Sequence, residues 1–405
     1  MKKIILFFSL IFIGEIGNSQ NTWLQRDSVG GPPKSAAAAF SVNGRGFVVG
    51  GIDQFDYKRK CYKYNPTTDN WSTVTSLGGA LGSGLERASP VAFATTTKAY
   101  VGLGQGSNPY FDDFWEYDPV LDTWTQVADY GGTGRTQAVA FAVADKGYVG
   151  TGIDATGYKK DFYVYNPTTN IWTQIADFGG TARRQAVGFN IGDCGYVGTG
   201  EDGAFTNDFW QYNPQINLWT QKADFAGTAR YGASGFAMFP QGFIGTGYDN
   251  TLSYTNDLWE YNYWTDSWIQ RANIPVTPRA NTIGFSLGGY GYMGAGYDGT
   301  YHDEFYIYTP VIGIDEYINE NDLINLYPNP VSNSLNINCK SATQINSISL
   351  FDMVGNKIVN VGKNEIGPIL NNFQIDCSSI PNAAYYCVFS NDGVVVAAKK
   401  FLVAR

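Results

Sequence analysis

YNPTTDNW, at residues 64–71, returns five times along the chain in altered form. The copies read YDPVLDTW from 117, YNPTTNIW from 165, YNPQINLW from 212, YNYWTDSW from 261 and YTPVIGID from 308, and the last lacks the Trp. Asn, Pro and Asp favour tight turns, because Pro fixes φ and the Asx side chains bond to nearby backbone. The stretch therefore predicts a recurring hairpin between a Tyr strand and a Trp strand.

Each hairpin ends a longer unit that repeats every 47 to 53 residues. The unit starts with a basic residue, has a Phe six residues later and continues through a strand that ends in glycines. The basic residues are Lys34, Arg87, Arg135, Arg183, Arg230 and Arg279. The phenylalanines are Phe40, Phe93, Phe141, Phe189, Phe236 and Phe285. Four short strands cannot bury both of their faces alone, and such units packed around an axis form a β-propeller.

The N-terminus supplies the Trp that the sixth unit lacks. Trp23 lies 11 residues before Lys34, and the same interval separates four other tryptophans from the next Arg: Trp124, Trp172, Trp219 and Trp268. Pairing the two ends of the repeat region removes exposed strand edges. We therefore predict an all-β protein with a six-bladed propeller over residues 20–312, closed by the N-terminal strand and followed by a small antiparallel β-sandwich.

The basic residue, the glycine pair, the Tyr and the Trp at these intervals resemble kelch repeats. The resemblance covers nearly the whole repeat region. Three positions depart from it: Lys34 replaces the first Arg, Leu103 splits one glycine pair, and Cys61 stands where other units have Phe.

Both ends of the chain indicate export. Residues 1–19 have the basic start and short apolar run of a signal peptide. An acidic linker is expected at 313–325, and alternating runs such as LNINC and YYCVF predict the sandwich at 326–405. LYPNPVSNSLNI, FDMVGNK and KKFLVAR resemble the C-terminal sorting domain of type IX secretion substrates from Bacteroidota, although Ala383 stands where that family usually has Gly. The resemblance implies that residues 326–405 engage the type IX secretion machinery and that the protein is secreted or displayed at the cell surface.

Composition disfavours several classes of function. The net charge of −9 disfavours a nucleic-acid partner, and no segment after the signal peptide is apolar for long enough to span a membrane. The five Cys and the single His302 lack metal-ligand spacing, so we expect no metal or other cofactor. The sequence does not decide whether Cys377 and Cys387 form a disulfide. We expect the protein to be a monomer.

One face of the predicted propeller collects the recurring charges. In an antiparallel meander the connection into each blade and the loop after the glycines lie on this loop face, and the NP turns lie on the opposite turn face. The basic residues Lys34, Arg87, Arg135, Arg183, Arg230 and Arg279 either bind a glycan or an anionic peptide, or form a scaffold with nearby carboxylates that ties neighbouring blades. The carboxylates are Asp53, Asp154, Asp202, Asp249 and Asp298, and they are followed on the same face by the aromatic residues Tyr57, Tyr110, Tyr158, Phe205, Tyr254 and Tyr301.

Two blades depart from the repeat. Blade 2 has five extra residues before Arg87 and reads QGSNPYFDD after its glycines, so its loop-face candidates for ligand binding are Glu86, Arg87, Gln105, Asn108 and Tyr110. Blade 5 has Tyr263 and Trp264 in its NP turn, where they either stack on a sugar or pack against the next blade.

We expect a binding or adhesion module for an extracellular glycan or protein ligand. The sequence has no Gly-x-Ser-x-Gly elbow and no phosphate loop. Two alternatives stay open: a carbohydrate-active enzyme resembling a sialic-acid mutarotase, and a structural surface protein without a small ligand.

Overall fold

The computed structural model describes residues 21–79, 85–309, 324–339, 345–352, 357–362, 373–391 and 394–405. The predicted signal peptide at 1–19 and most of the predicted linker at 313–325 lie outside these ranges. The regular secondary structure of the described ranges consists of β-strands.

Within the described residues 21–309 the chain forms six four-stranded antiparallel sheets arranged as blades. The strands of each blade are given from the channel outward. Blade 1 consists of Ala38–Val42, Arg45–Val49, Cys61–Asn65 and Asn70–Val74, and blade 2 of Val91–Ala94, Ala99–Gly102, Phe114–Asp118 and Thr123–Val127. Blade 3 consists of Val139–Val143, Lys146–Gly150, Phe162–Asn166 and Ile171–Ile175. Blade 4 consists of Val187–Ile191, Cys194–Gly198, Phe209–Asn213 and Leu218–Lys222. Blade 5 consists of Ser234–Met238, Gln241–Gly245, Leu258–Asn262 and Ser267–Arg271. Short two-stranded ladders on the loop face join Arg87–Ala88 to Gln105–Gly106, Ile153–Asp154 to Gly157–Tyr158 and Arg230–Tyr231 to Tyr248–Asp249.

Blade 6 is closed by the N-terminal strand, as the spacing of Trp23 predicted. Its strands are Ile283–Leu287, Tyr290–Tyr297, Tyr301–Thr309 and Thr22–Arg26. Trp23 lies opposite Tyr308, and the two ring centroids are 5.0 Å apart. The Trp23 indole N–H donates to the Ala272 carbonyl of blade 5 at 3.0 Å. The six-bladed fold with this closure is confirmed.

The recurring hairpin also connects each blade to the one before it. In blade 3 the Tyr165 hydroxyl donates to Asn170 Oδ1 at 2.7 Å, and the same oxygen accepts the Ala128 N–H of blade 2 at 2.9 Å. The Trp172 indole donates to the Ala128 carbonyl at 3.0 Å. These bonds satisfy backbone groups that strand pairing leaves open, which explains why Tyr, Asx and Trp recur together.

The glycine that ends the second strand makes room for an aromatic ring. Gly150 lies opposite Phe162, and a Cβ on Gly150 would stand 2.2 Å from that ring. In blade 1 the smaller side chain is on the third strand and the larger one is on the second strand. Cys61 takes the position of Phe162, and Val49 takes the position of Gly150. The departure at Cys61 is therefore a compensated packing change.

Small side chains surround the central channel. The inner strands enclose about 580 Å³, and the space reaches the turn face, where Asn43, Asp145 and Gly289 line it. Because side chains alternate along a strand, every second inner-strand residue faces the channel. Ala140 and Ala142 do so in blade 3, and Gly188 and Asn190 in blade 4. The six inner strands carry no charged side chain, and the carboxylates of Asp145 and Asp193 line the space only at its turn-face end.

The described C-terminal strands form two sheets of a β-sandwich. One contains Ile324–Tyr327, Ser334–Cys339 and Phe373–Asp376, and the other contains Lys357–Val361, Ser347–Asp352, Ala383–Asn391 and Val394–Val403. The first strand begins inside the predicted linker, because the Ile324 side chain is buried in the sandwich core. Cys377 and Cys387 lie in the same core as free thiols, so they form no disulfide.

Candidate functional site

The recurring arginines lie beneath the surface of the loop face in ion pairs. The Arg183 guanidinium contacts both carboxylate oxygens of Asp208, and its Nη2 lies 2.8 Å from Oδ2. Arg183 also donates to the Thr181 and Thr199 carbonyls at 3.1 and 3.0 Å. Its side chain is 1% exposed, so the charge is fully paired within the protein.

Four other blades repeat this arrangement, which we call the buried ion-pair layer. The pairs are Arg87–Asp113, Arg135–Asp161, Arg183–Asp208, Arg230–Asp257 and Arg279–Glu304. Each Arg binds an acid just before or at the start of the third strand of its own blade. This geometry matches the scaffold interpretation of the basic residues.

The predicted partners of these arginines were wrong. Asp154 accepts hydrogen bonds from the Thr133 and Thr156 side chains at 2.6 and 2.8 Å, rather than from an arginine. Neighbouring blades are joined by the arginine backbone instead. The Gly152 N–H donates to the Arg183 carbonyl at 2.7 Å, and the Arg183 N–H donates to the Lys159 carbonyl at 3.0 Å.

Blade 1 lacks the arginine–carboxylate pair. Lys34 replaces the Arg, and Lys60 occupies the position of the acid. The Lys34 ammonium donates to the Gly30 carbonyl at 2.6 Å and lies 4.6 Å from the Tyr62 ring centroid. Burial lowers the pKa of Lys34 to about 8, although the charges of Asp303 and Asp53 oppose the shift.

The blade 2 candidates form one loop cluster, with Arg87 buried below it. Gln105 pairs with Ala88 in the short ladder, and Asn108 Oδ1 accepts the Tyr110 N–H at 3.1 Å. Glu86 lies 3.2 Å from Arg59 Nε. Residues 80–84 of the preceding insertion lie outside the described ranges.

Aromatic rings gather on the loop face, and sequence reasoning missed two of them, Tyr231 and Tyr248. We call the group the aromatic arc: Tyr158, Phe205, Tyr231, Tyr248 and Tyr254, from blades 3, 4 and 5. Phe205 lies 5.0 Å from Tyr231, Tyr231 lies 5.7 Å from Tyr248, and Tyr248 lies 5.0 Å from Tyr254, measured between ring centroids. All five rings are half-buried. Mutual contacts hold Phe205, Tyr231, Tyr248 and Tyr254 in fixed orientations, while part of each ring stays accessible.

A partly exposed ion pair adjoins the arc. Arg184 Nη2 lies 2.7 Å from Glu201 Oε2, and the Tyr158 hydroxyl lies 3.3 Å from the other Glu201 oxygen. The Arg184 guanidinium stands 5.6 Å from the Tyr158 ring centroid. The side chains of Arg184 and Glu201 are 31% and 18% exposed, so a ligand on this face reaches both charges.

A polar ring narrows the loop-face end of the channel. It consists of the residues two positions after each basic residue: Ala36, Ser89, Gln137, Gln185, Gly232 and Asn281. All six have φ between 51 and 63°, which is uncommon for residues other than glycine. Backbone bonds hold them, such as Gln185 N–H to the Gln137 carbonyl at 2.9 Å. Gln185 Nε2 donates to Asn281 Oδ1 at 3.1 Å.

One amide oxygen of this ring lacks a partner. Gln137 Oε1 is buried and accepts no hydrogen bond from the residues that the structure describes. Buried polar atoms are normally satisfied, so this amide oxygen is an exception among the described side chains.

The sequence did contain a signal for the arc. The residue after each basic residue is Ser35, Ala88, Thr136, Arg184, Tyr231 or Ala280. Only blades 4 and 5 place a large side chain there, and both side chains belong to the site. Within the described residues, no group of three or more His, Cys, Asp or Glu is placed to hold a metal ion.

Comparison with known families identifies the C-terminal module. Residues 325–404 match the secretion system C-terminal sorting domain. The predicted sorting domain is therefore confirmed, and the protein is exported, either secreted or displayed at the cell surface. In the described part of the chain, no helix has the length and hydrophobicity needed to cross a membrane.

Comparison with solved structures supports the propeller fold. The structure titled "Structure of YjhT" aligns with 70% of this chain and 97% of its own chain, with a TM-score of 0.57 and 15% sequence identity. No match was found among curated proteins. At this level of identity the likeness establishes a shared all-β propeller fold and nothing about the ligand.

Proposed function

We propose that this exported protein is a monomeric, kelch-like propeller that binds a neutral glycan on its loop face, with the aromatic arc as the main contact. The observation that carries the proposal is the row of four half-buried rings on blades 4 and 5, in ring-to-ring contacts of 5.0 to 6.2 Å. Aromatic faces stack on the apolar faces of sugar rings, and ordered rings lose little conformational entropy on binding.

Polar groups beside the arc suit sugar hydroxyls. The Arg184–Glu201 pair is partly exposed and offers charged donors and acceptors. A carbohydrate site combines ring faces with a few fixed hydrogen-bonding groups, and these residues provide both. Tyr231 of the arc directly precedes Gly232 of the polar ring, and Arg184 of the adjoining ion pair directly precedes Gln185, so the polar ring and the arc are next to each other.

The charge of the loop face favours a neutral ligand. Asp202, Asp249 and Asp298 each directly follow a site residue or a loop-face tyrosine in the chain. Burial alone would raise the pKa of Asp249, but hydrogen bonds from Thr251 and Thr228 outweigh it and keep the pKa below its ordinary value. These carboxylates therefore stay ionised and disfavour anionic sugars.

The blade 2 cluster extends the proposed site. Glu86, Gln105, Asn108 and Tyr110 lie on the same face as the arc, on the other side of the channel mouth, and we propose them as contacts for a longer ligand. Lys34 and the five arginines act from below, because their side chains are at most 1% exposed and hold the loops that carry the site.

Titration calorimetry with neutral and sialylated oligosaccharides tests the proposal. Tyr231→Ala and Tyr248→Ala are each expected to weaken binding of the neutral sugar about fivefold, since an aromatic contact contributes roughly 1 kcal/mol. Tyr290→Ala is the matched control, because this 37% exposed tyrosine begins a strand on the turn face. Unchanged affinity in both arc variants, or no binding of any neutral sugar, overturns the assignment.

A carbohydrate-active enzyme is the second candidate, because Glu201 and Arg184 place a carboxylate, which can transfer protons, and a guanidinium, which can donate hydrogen bonds, next to the arc. NMR measurement of anomeric exchange distinguishes the two. Binding alone leaves the exchange rate of the free sugar unchanged, whereas acceleration that is lost in Glu201→Gln would identify an isomerase. The remaining alternative, a structural surface protein, predicts neither binding nor acceleration.

A further inference from the structure

Blade 5 departs from the other blades in two turns on the turn face. Its inner turn contains Phe239, where the corresponding turns contain small or polar residues such as Asn43 and Asp145. Its NP turn contains Tyr263 and Trp264 in place of Pro and Thr. Phe239 is only 5% exposed although it lies in a turn, so another part of the protein must cover it.

The sorting domain provides this cover with two aromatic residues. Phe351 and Tyr386 lie opposite each other on neighbouring strands of the sandwich. Their strand neighbours Leu350 and Cys387 are buried in the sandwich core, so both rings belong to its outer face. An outward aromatic pair on a small domain is a typical contact surface.

The two aromatic groups are in direct contact. Phe351 stacks on Phe239 with ring centroids 4.8 Å apart. Tyr386 meets Phe239 and Trp264 edge-on, each at 6.0 Å. This ring contact joins the sandwich to the hydrophobic cluster of blades 4 and 5.

A charged contact lies beside the rings. Lys357 Nζ is 3.3 Å from Asp193 Oδ2 in the inner turn of blade 4, and it lies 5.5 Å from the Phe351 ring centroid. Burial raises the pKa of Tyr263 to about 12, with smaller contributions from Cys194 and Asp193. The surface therefore combines an apolar centre with a polar edge, as specific interfaces do.

We propose that the turn face of blades 4 and 5 is a docking site for the chain's own sorting domain. Three independent features coincide there: the aromatic departures of blade 5, the outward aromatic pair of the sandwich, and the complementary charges of Lys357 and Asp193. Docking holds the sorting domain in one orientation relative to the propeller. It also leaves the loop face free, because the two faces are at opposite ends of the channel.

Hydrogen–deuterium exchange on the full chain tests the docking from the sandwich side. The double variant Phe351→Ala/Tyr386→Ala is expected to exchange about tenfold faster in the turns at 239–241 and 262–265, because these turns lose their aromatic cover. The NP turn of blade 4, at 213–217, serves as an internal reference. Leu402→Ala is the control variant, since this 42% exposed side chain of the same domain is not among the described residues that pack on the cluster containing Phe239 and Trp264.

The reciprocal test changes the propeller. Tyr263→Pro/Trp264→Thr gives blade 5 the turn that blades 1 and 3 carry, so the propeller fold is retained. Faster exchange at 349–352 and 384–388, together with a larger radius of gyration in solution scattering, is expected. Unchanged exchange in both double variants overturns the proposal. Protection that disappears on dilution also overturns it, because a contact between two copies would then be the source.

Discussion

The loop face has two layers that follow opposite rules. The buried ion-pair layer is nearly the same in blades 2 to 6, and its arginines are at most 1% exposed. The aromatic arc lies above it and is half-buried. Tyr158, Phe205 and Tyr254 stand at a loop position that is aromatic in every blade, whereas the position of Tyr231 is aromatic in blade 5 alone. Arg183 and Arg184 are adjacent in the chain, yet the first belongs to the lower layer and the second to the upper one.

This difference separates scaffold from site. A side chain that must do the same structural work in every blade recurs in every blade, as the ion pairs and the Tyr–Asx–Trp hairpins do. A ligand without sixfold symmetry needs contacts that are not repeated. Residues that depart from the repeat are therefore better candidates for binding than those that define it.

The largest effect is expected for Arg183→Ala. This change leaves Asp208 as a partly buried carboxylate without its partner and removes bonds to two carbonyls. Breaking one side of a buried pair costs about 3 to 5 kcal/mol. Urea unfolding followed by tryptophan fluorescence measures the loss.

Arg184→Ala is the matched control one residue away. Its pair with Glu201 is exposed, so we expect the free energy of unfolding to fall by less than about 1 kcal/mol. Equal losses in the two variants would contradict the distinction between the layers.

The fold was predictable because its signals lie along the chain. Strand periodicity, turn residues and the interval from Trp23 to Lys34 are local counts, and they fix both the number of blades and the closure. The export signal at the C-terminus was also readable from local stretches. These features depend on residue order rather than on side-chain direction.

The site was less predictable because its contacts cross between loops. Tyr231 and Tyr248 meet through a short ladder, and Phe205 reaches them from blade 4. The predicted partners of the arginines were wrong for a similar reason, because residue order does not show the direction of a side chain. Asp202 and Asp208 both follow the glycines of blade 4, and only the direction of each side chain decides that Asp208 reaches Arg183.

Blade 1 gives the second prediction, because its lysine lacks a carboxylate partner. The folded-state pKa of Lys34, about 8, lies below its ordinary 10.5, so the unfolded chain holds this proton more tightly. Stability should therefore rise with pH between these two values. At pH 7 the buried charge lowers the free energy of unfolding by up to about 3 kcal/mol.

Lys34→Met removes this titration. The variant should exceed the wild type in unfolding free energy by the largest amount near pH 7. This advantage should shrink as the pH approaches 10.5. Denaturant unfolding at several pH values measures it. Lys60→Met, which changes an exposed lysine of the same blade, should follow the wild-type profile. Parallel stability profiles for Lys34→Met and the wild type would contradict this prediction, because they would mean that contacts within blade 1 offset the cost of burying the Lys34 ammonium.

The smallest effect is expected for Tyr231→Phe in the aromatic arc. This change keeps the ring and its contacts with Phe205 and Tyr248, at 5.0 and 5.7 Å, and removes only the hydroxyl. If the upper layer binds sugars through ring faces, affinity should change by less than about threefold, well below the loss expected for Tyr231→Ala. Calorimetry with the same neutral oligosaccharide compares the two variants. An equal loss in both would mean that the Tyr231 hydroxyl, rather than its ring, carries the contact, and the arc would then bind through hydrogen bonds as the layer below it does.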